Sequence, residues 1–317
     1  MTTTTTALGR DHTVLVIGCG FLGKVIAQRL AFKGVPVLGT TRTQADLGVI
    51  RTRGAEPILF DGVDLAPLAR VIKRVRSVVM SVPPGGPGGE GGSELDKKLV
   101  DMLAAAPLVS AVYVSSTSVY GDRGGAVTLE GDAVAPDGPK GRARLEAEAI
   151  WRAAPFPTAV IRPSGIYGPG RSLLHRMAAG KYRLVAGGAA ITNRVHVADL
   201  ASLVVRALER PRAGAIWLGS DLAPAPQREV IDWIGLLTGW PPPPEMSLAE
   251  ARVRLDKDTL GMFVQSKRLD PSATLAELGV TLRYPSYREG LGDIWAKERT
   301  ALDERKRQNL DAPGTIG

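Results

Sequence analysis

The chain has one cysteine among its 317 residues, only three histidines and few aromatic side chains. Because Cys19 stands alone, it cannot form an intramolecular disulfide or supply a cysteine-rich metal site. No segment reaches the roughly 20 apolar residues that span a bilayer, and the Thr-rich residues 1–12 lack the apolar stretch of a secretory signal. These absences lead us to expect a soluble, cytoplasmic protein with no metal centre.

The charge balance is basic, since 40 lysines and arginines outnumber 32 aspartates and glutamates. Such an excess favours anionic partners, among them phosphorylated cofactors, nucleotides and nucleic acid. The basic residues are spread along the chain rather than clustered, which is more typical of a solvated surface than of a nucleic-acid interface. We therefore expect an anionic small-molecule substrate and no nucleic-acid partner.

The apolar pattern is typical of a parallel sheet with helices on both faces. Short β-branched runs alternate with amphipathic helical patterns as far as residue 218. The predicted strands are residues 13–17, 35–39, 57–60, 77–82, 110–114, 158–161 and 215–218. The sequence therefore predicts an α/β fold with a doubly wound parallel sheet.

The strongest motif lies between the first predicted strand and an amphipathic helix, where three glycines form the pattern GxGxxG. In this strand, turn and helix context, the pattern predicts the dinucleotide site of a Rossmann fold. The glycines permit a tight turn, a close approach of the pyrophosphate and close packing of helix on strand, while the helix N-terminus attracts the diphosphate. The predicted cofactor-binding residues of this turn are Gly18, Cys19, Gly20, Phe21, Leu22 and Gly23.

The end of the second predicted strand carries no acidic residue. A protein selective for NAD places an acid there to bind the ribose hydroxyls. Thr41 and Arg42 stand at this point instead, and a guanidinium fork suits a 2′-phosphate better than a free hydroxyl. We predict NADP(H) in preference to NAD(H), the alternative being that Arg42 is only a solvated loop residue.

Further cofactor contacts are predicted where other strands end, because the carboxyl ends of strands face the ligand in open α/β sheets. Asp61 follows the third strand and is placed either to meet the adenine or to form a turn. The remaining cofactor-binding candidates, at the ends of the fourth and sixth strands, are Ser81, Val82, Pro83 and Pro163.

Glycine and proline dominate residues 83–93, PPGGPGGEGGS, which predict a mobile loop that ends at a helix N-cap, Ser93. After residue 220 the pattern becomes irregular and Pro-rich, which indicates a small C-terminal cap that binds substrate. The predicted divisions are residues 1–165 with 191–218 for the NAD(P)-binding domain, 166–190 and 219–296 for the cap, and 297–317 for a peripheral charged tail.

Five motifs follow one another along residues 13–293: GCGFLG, Asp61, VYVSSTSVYG, IRPSGIYGPG and NRVHVADLA. In this order they resemble the extended short-chain dehydrogenases/reductases, the NAD(P)-dependent epimerase/dehydratase-like family. The resemblance implies a Rossmann fold, hydride transfer, nucleotide-sugar-like substrates and a homodimer. One departure is Ile17, which stands where this family usually has the first glycine of GxxGxxG.

The resemblance also implies where the catalytic residues lie. The family's Ser or Thr that hydrogen-bonds the reacting oxygen falls on Ser116, with Thr117 next; the alternative is that these hydroxyls only satisfy strand-end backbone groups. The family's Tyr and the Lys four residues later fall on Lys140 and Arg144, and the chain contains no YxxxK. An arginine can bind ribose or phosphate, but it cannot replace a phenol as a proton donor.

Substitutes for the missing acid can be named but not chosen from the sequence. Lys140 would need a lowered pKa, and its polar loop predicts exposure. Tyr120 and Tyr167 belong to motifs that the family places beside the cleft and that often have an architectural role. We expect His196 to be structural and Asp199 to cap the helix that begins at residue 200.

The resemblance implies that three arginines, Arg171, Arg176 and Arg194, grip an anionic substrate, although a solvated basic face would have the same sequence. The leading hypothesis is an NADP(H)-binding oxidoreductase or epimerase-like protein, in which Ser116 polarises a carbonyl or carbinol. The alternative is a dinucleotide-binding sensor or regulatory protein that has lost turnover with its Tyr and Lys.

Overall fold

Parallel strands alternate with helices in the computed structural model, which describes residues 8–85 and 92–311. Its strands are β1 (Thr13–Ile17), β2 (Val37–Thr41), β3 (Glu56–Leu59), β4 (Val75–Met80), β5 (Ser110–Val114), β6 (Val127–Thr128), β7 (Thr158–Pro163), β8 (Gly165–Tyr167), β9 (Leu184–Val185), β10 (Ile191–Thr192), β11 (Arg194–His196), β12 (Ile216–Gly219), β13 (Ala225–Pro226), β14 (Glu245–Met246) and β15 (Arg268–Leu269). Its α-helices are α1 (Phe21–Phe32), α2 (Asp46–Thr52), α3 (Ala66–Ala69), α4 (Glu94–Leu103), α5 (Pro139–Arg152), α6 (Leu173–Ala178), α7 (Val197–Glu209), α8 (Gln227–Thr238), α9 (Leu248–Arg254), α10 (Lys257–Val264), α11 (Ser272–Leu278) and α12 (Tyr287–Asp311). Short 3₁₀ helices cover Ile72–Arg74, Thr117–Tyr120 and Ala186–Gly188.

Seven strands form one parallel sheet in the order β12, β7, β5, β4, β1, β2, β3. The direction of winding reverses between β1 and β4, and the crevice beyond their carboxyl ends is where doubly wound sheets bind ligands. The predicted α/β fold with a doubly wound parallel sheet is confirmed. Strand β2 begins two residues later than predicted because Pro36, which has no N–H for the ladder, precedes it.

Both faces of this sheet are buried, which explains the continuous apolar runs in the strands. Val14 and Val16 of β1 pack in the cluster that includes α1 and α7. Leu15 and Ile17 point to the opposite face and pack in the cluster that includes α4 and α5. The helices thus fix β1 from both sides, and with it the start of the glycine turn.

A separate apolar cluster lies in the later part of the chain and joins α6, α8 and α12. Helix α12 runs without a break through residues 297–311 of the predicted peripheral tail, and the rest of that tail, 312–317, lies outside the described residues. Leu302 is buried seven residues, or about two turns, after Trp295 on the same helix face. Trp240 Nε1 also donates a hydrogen bond to Asp303 Oδ1 at 2.9 Å. This part of the helix therefore belongs to the cluster rather than to a tail.

The predicted mobile loop, residues 83–93, falls partly outside the described residues, since 86–91 are not described. Ser93 occupies the N-cap position of α4, but its side chain does not bond to the backbone of that helix. In the described ranges, no helix has both the length and the apolar character needed to cross a membrane.

Candidate active site

The turn between β1 and α1 has the three features that a dinucleotide turn requires. Gly18 has φ +93°, and a Cβ there would lie 2.8 Å from Val82 Cγ2. A Cβ on Gly23 would lie 2.3 Å from the Gly18 carbonyl oxygen, so α1 packs directly on the turn. A Cβ on Gly20 would meet no atom within 4 Å, which leaves open space where a pyrophosphate would approach.

The N-terminus of α1 is open to an anion. Among residues 8–85 and 92–311, no acceptor pairs with the backbone N–H groups of Phe21, Leu22 and Gly23. Free N–H groups and the positive end of the helix dipole together suit a diphosphate. The residues of this turn therefore fit the dinucleotide that the motif predicts.

Thr40 holds the turn in place, a role that no motif in the sequence indicated. Its Oγ1 accepts a hydrogen bond from the Gly18 N–H, and its carbonyl accepts one from the Cys19 N–H, both at 2.8 Å. The Cys19 side chain is buried, and burial raises its pKa to about 12. Cys19 therefore contributes its backbone to the turn and a packed thiol to the core.

We expect Gly23→Ala to abolish dinucleotide binding and to destabilise the protein by about 1–3 kcal/mol, because its methyl group would overpack the turn. The measurement is the thermal unfolding midpoint with and without NADPH. Gly48→Ala in α2 is the matched control, since a Cβ there meets no atom within 4 Å. An unchanged NADPH-induced shift in Gly23→Ala would contradict the close packing of α1 on the turn.

Arg42 follows β2 as an exposed cation without a partner in the described part of the chain. Thr41 Oγ1 beside it accepts a bond from the Thr43 N–H at 3.3 Å. The nearby acid, Asp46, is held by the Lys24 ammonium at 2.7 Å and by the Thr43 hydroxyl at 2.6 Å. The Arg42 guanidinium is therefore free to meet a phosphate.

Asp61 forms the turn after β3. Its Oδ1 accepts hydrogen bonds from the N–H groups of Val63 at 2.8 Å and Asp64 at 3.1 Å. These bonds hold the pKa of Asp61 below its ordinary value. The turn-forming alternative is thus present in the structure, and the contact with adenine stays a prediction.

The other cofactor candidates border the same crevice. The Ser81 N–H donates to the Ile17 carbonyl at 2.9 Å, which continues the pairing of β4 with β1. Val82 lies against Gly18, and Pro83 and Pro163 line the cleft described next. Val82 and Pro83 therefore place the glycine turn and this cleft next to each other.

A cleft of about 1110 Å³ opens beyond the carboxyl ends of β5 and β7 and is closed on its other side by residues of the cap. This volume exceeds that of typical small-molecule pockets, about 300–1,000 Å³. The described residues line it with one carboxylate, that of Asp258, and with nine basic side chains. These are Lys140, Arg144, Arg171, Arg176, Lys181, Arg194, Lys257, Lys267 and Arg305. The cleft is therefore suited to an anion.

The hydroxyl residues after β5 stand at the cleft. Ser116 is half-buried, lines the cleft and accepts a hydrogen bond at Oγ from the Ser118 N–H at 3.1 Å. Thr117 lines the cleft beside it. The Ser116 oxygen thus caps the 3₁₀ helix Thr117–Tyr120, which is the alternative role considered from the sequence. Its own hydroxyl hydrogen remains available to a carbonyl oxygen in the cleft.

The positions that correspond to the family's Tyr and Lys lie at the start of α5. The Lys140 side chain is exposed, and its backbone N–H donates to Asp258 Oδ1 at 3.3 Å. Arg144 lines the cleft and donates from Nη1 to the Val114 carbonyl at 2.8 Å. Arg144 therefore ties α5 to the end of β5, two residues before Ser116.

Tyr120 does not reach the cleft, so its prediction as a substitute acid is wrong. Its side chain is fully buried, and its hydroxyl donates to the Glu130 carbonyl at 2.9 Å. Arg162 Nη1 donates to the same hydroxyl at 2.9 Å. Burial raises the pKa of Tyr120. The hydroxyl proton of Tyr120 is therefore donated to the Glu130 carbonyl and not to a substrate in the cleft.

Tyr167 is one of the residues that line the cleft, but its hydroxyl is buried. The oxygen is buried without a hydrogen-bond partner in the described residues and lies 1.9 Å from where a Cβ on Gly290 would stand. Burial is the main cause that raises its pKa. The predicted acid role therefore does not fit Tyr167, whose hydroxyl faces α12.

Helix α7 begins differently from the prediction. Its N-cap is His196, whose Nδ1 accepts a hydrogen bond from the Ala198 N–H at 3.2 Å. Burial lowers the pKa of His196 to about 4, which keeps the ring neutral. Asp199 lies within the first turn and accepts the N–H groups of Arg283 and Tyr284, both at 2.9 Å. The prediction that Asp199 caps this helix is wrong.

The three arginines that were named in the sequence analysis, Arg171, Arg176 and Arg194, all line the cleft. Arg171 lies over the Phe21 ring, the first residue of α1, at 5.2 Å, so it links the cap to the glycine turn. Arg194 donates to Thr192 Oγ1 at 2.7 Å and has no carboxylate within 4 Å among the described residues. This guanidinium retains donors for an anionic ligand.

The fold and the glycine turn define a protein of the NAD-binding Rossmann class. The model of the NAD dependent epimerase/dehydratase family matches residues 14–218. The chain belongs to this family, and the resemblance seen in the sequence is confirmed.

The chain is similar to one curated protein and to two solved structures over most of their lengths. Protein YeeZ of Escherichia coli (strain K12) is 30% identical over 285 residues, which cover 86% of this chain and 96% of that protein. The structure of a functionally unknown conserved protein from Silicibacter pomeroyi DSS is 32% identical, with a TM-score of 0.78 over 90% of this chain and 99% of that one. UDP-glucuronic acid 4-epimerase from Bacillus cereus, in complex with UDP-glucuronic acid and NAD, is 19% identical, with a TM-score of 0.73 over 93% and 99% of the two chains. This last likeness shows the fold alone.

Proposed function

We propose that the protein is an NADP(H)-dependent oxidoreductase or epimerase-like enzyme that acts on a carbonyl or carbinol of an anionic, nucleotide-sugar-like substrate. The observation that carries this proposal is the basic cleft, because it contains Ser116 and lies beside the glycine turn, where its Arg171 packs over the Phe21 ring. A nicotinamide dinucleotide supplies or accepts a hydride when it is bound at such a turn. The cap that the sequence assigns to residues 166–190 and 219–296 would then hold the substrate.

Each residue has a separate task in this proposal. The N–H groups at the start of α1 hold the diphosphate, and Thr41 and Arg42 hold the 2′-phosphate. The Ser116 hydroxyl donates a hydrogen bond to the substrate oxygen, and Arg194 pairs with an anionic group of the substrate. The proposed substrate class is that of the Bacillus cereus neighbour, which is in complex with UDP-glucuronic acid and NAD.

We expect Arg42→Ala to weaken NADPH binding about 10- to 100-fold and to leave NADH binding unchanged, since a hydrogen bond to a charged group contributes roughly 1.5–3 kcal/mol. The measurement is thermal unfolding with each of the four nicotinamide dinucleotides, because a ligand that binds only the native state raises its stability. Arg51→Ala, which removes an exposed cation from α2, controls for the general loss of charge.

The outcomes separate the parts of the proposal. Equal shifts with NADH and NADPH, unaffected by Arg42→Ala, would contradict the preference for NADP(H). No shift with any dinucleotide would contradict the enzyme proposal as a whole. After binding is established, NADPH consumption with a panel of carbonyl and sugar-nucleotide substrates tests turnover directly.

The sensor alternative rests on the absence of a free phenol among the described residues that line the cleft. The hydroxyl of Tyr167 faces α12, and that of Tyr182 donates to Gln227 Oε1 at 2.9 Å. Tight NADPH binding with no turnover of any carbonyl in the panel would favour a sensor or regulatory protein over an enzyme.

A further inference from the structure

A buried lysine enters the cleft from a part of the chain far from the family's catalytic motif. Lys267 immediately precedes β15, is 9% exposed and lines the same cleft as Ser116. In the described residues its ammonium has no carboxylate within 4 Å and no hydrogen-bond acceptor. The side chain is largely buried but its Nζ atom keeps access to solvent, so the ammonium is able to meet a ligand in the cleft.

The backbone of Lys267 is fixed on both sides. Its N–H donates to the Ile191 carbonyl at 3.3 Å, and its own carbonyl accepts a hydrogen bond from Asn193 Nδ2 at 2.9 Å. Two residues earlier, Gln265 Nε2 donates to Asp137 Oδ2 at 2.9 Å. Because Asp137 lies just before α5, this segment is held against the start of the helix where the family has its tyrosine.

The other titratable groups of the cleft are committed elsewhere or exposed. The hydroxyls of Tyr167 and Tyr182 are directed to α12 and to Gln227. His175 bonds to Ser172 and to Glu298, each through one ring nitrogen. The ammonium of Lys140 stands at an exposed position on the rim. Lys181 and Lys257 are also exposed, so Lys267 is the largely buried lysine that remains among the described lining residues.

The surroundings of Lys267 favour release of its proton. Burial is the largest influence, and it lowers the pKa of this ammonium. The carboxylates of Asp122 and Asp137 oppose that effect, while the Arg123 guanidinium reinforces it. An ammonium with a lowered pKa is a better acid near neutral pH than an ordinary lysine.

We propose that Lys267 donates the proton to the carbonyl oxygen of the substrate, in the place of the family's tyrosine. This inference rests on the proposed function. In a reduction, an N–H bond of the ammonium breaks and an O–H bond forms on the substrate oxygen. The carbonyl carbon accepts the hydride supplied by a reduced nicotinamide dinucleotide, which is thereby oxidised. The free amine then regains a proton from water.

The first test needs no substrate and uses the whole protein labelled with ¹³C-lysine. The ¹³Cε resonance of Lys267, identified by its absence from Lys267→Met, is followed against pH. A midpoint below the ordinary lysine value of about 10.4 supports the proposal. A midpoint at or above that value overturns it.

The second test compares kcat in Lys267→Met and Lys267→Arg with the wild type. We expect kcat to fall about 100-fold or more in both, since general acid catalysis contributes 10²–10⁴-fold and arginine keeps its charge without releasing a proton. Wild-type kcat for reduction should fall as pH rises through the pKa of Lys267, and this decline should vanish in both variants. Thermal unfolding and NADPH affinity report whether the variants remain folded, and Lys73→Met removes an exposed lysine as the control.

The results distinguish this inference from the proposed function. Full kcat in Lys267→Arg, or a change in KM alone, would show that Lys267 supplies only charge and would overturn the acid role. A wild-type protein that turns over no carbonyl would overturn the proposed function itself.

Discussion

Ser116→Ala is expected to lower kcat about 10²–10³-fold, the usual loss when one donor to a developing oxyanion is removed. The hydroxyl lines the cleft beyond β5, and its oxygen is already engaged by the Ser118 N–H at 3.1 Å. Its hydrogen is therefore directed to another acceptor, which we propose is the substrate oxygen. NADPH affinity should not change, because the glycine turn lies at the end of a different strand. Steady-state kinetics and NADPH titration measure the two effects.

The hydrogen bond from the Ser118 N–H to Ser116 Oγ contributes to stability, so unfolding measurements separate this structural role from a role in turnover. Loss of a side-chain cap costs about 0.5–2 kcal/mol, so Ser116→Ala should also unfold at a lower temperature. Ser116→Thr keeps a hydroxyl in extended backbone that a β-branched residue adopts readily, and it should retain most of the activity. If Ser116→Ala kept full kcat while losing stability, the hydroxyl would be a cap and nothing more.

The sequence predicted the sheet and the glycine turn because both depend on local patterns. Strands β1 and β5 have the predicted bounds, since each is a short apolar run that ends in a turn. The glycine spacing likewise predicted the turn, although Thr40 and Val82, which are distant in sequence, also hold it in place. Local patterns were therefore sufficient to predict the fold and the position of the turn that we expect to hold the cofactor.

The tyrosines show why the catalytic part could not be predicted in the same way. Tyr120 and Tyr167 stand in motifs typical of the cleft, but Arg162 and Gly290 decide where their hydroxyls lie. These partners are distant in sequence, and no periodic pattern reports their approach. Lys267 was missed for the same reason. Its position in the cleft depends on backbone bonds to Ile191 and Asn193, which are distant in sequence.

The packing of the end of α12 could not be predicted from the sequence for a different reason. Charged residues surround Leu302, so the sequence pattern indicated a solvated tail. One apolar residue on the same face as Trp295, together with the bond from Trp240 to Asp303, is enough to pack this part of the helix on the cap. A few apolar residues on one face are enough to bury that face of a helix, but they are difficult to recognise in a sequence rich in charged residues.

Glu148→Ala is expected to destabilise the protein by about 3–5 kcal/mol, because it leaves a buried guanidinium without its partner. Glu148 and Arg162 are 1% and 3% exposed and form a two-point ion pair, from Nε at 3.0 Å and from Nη2 at 2.7 Å. Denaturant unfolding measures the loss. Removal of one residue from the exposed pair of Lys97 and Asp101 should leave the stability unchanged.

A double variant separates the cost of an unpaired charge from the contribution of the pair. Glu148→Leu with Arg162→Met removes both charges, and it should be more stable than Glu148→Ala, since apolar residues often replace a buried ion pair with little loss. Equal stability of the two would contradict the unpaired charge of Arg162 as the cause of the loss in Glu148→Ala. The Ser115 hydroxyl also donates to Glu148 at 2.5 Å, directly before Ser116 in the chain. The ion pair therefore fixes the end of β5, and we expect the double variant to lose kcat even where it recovers stability.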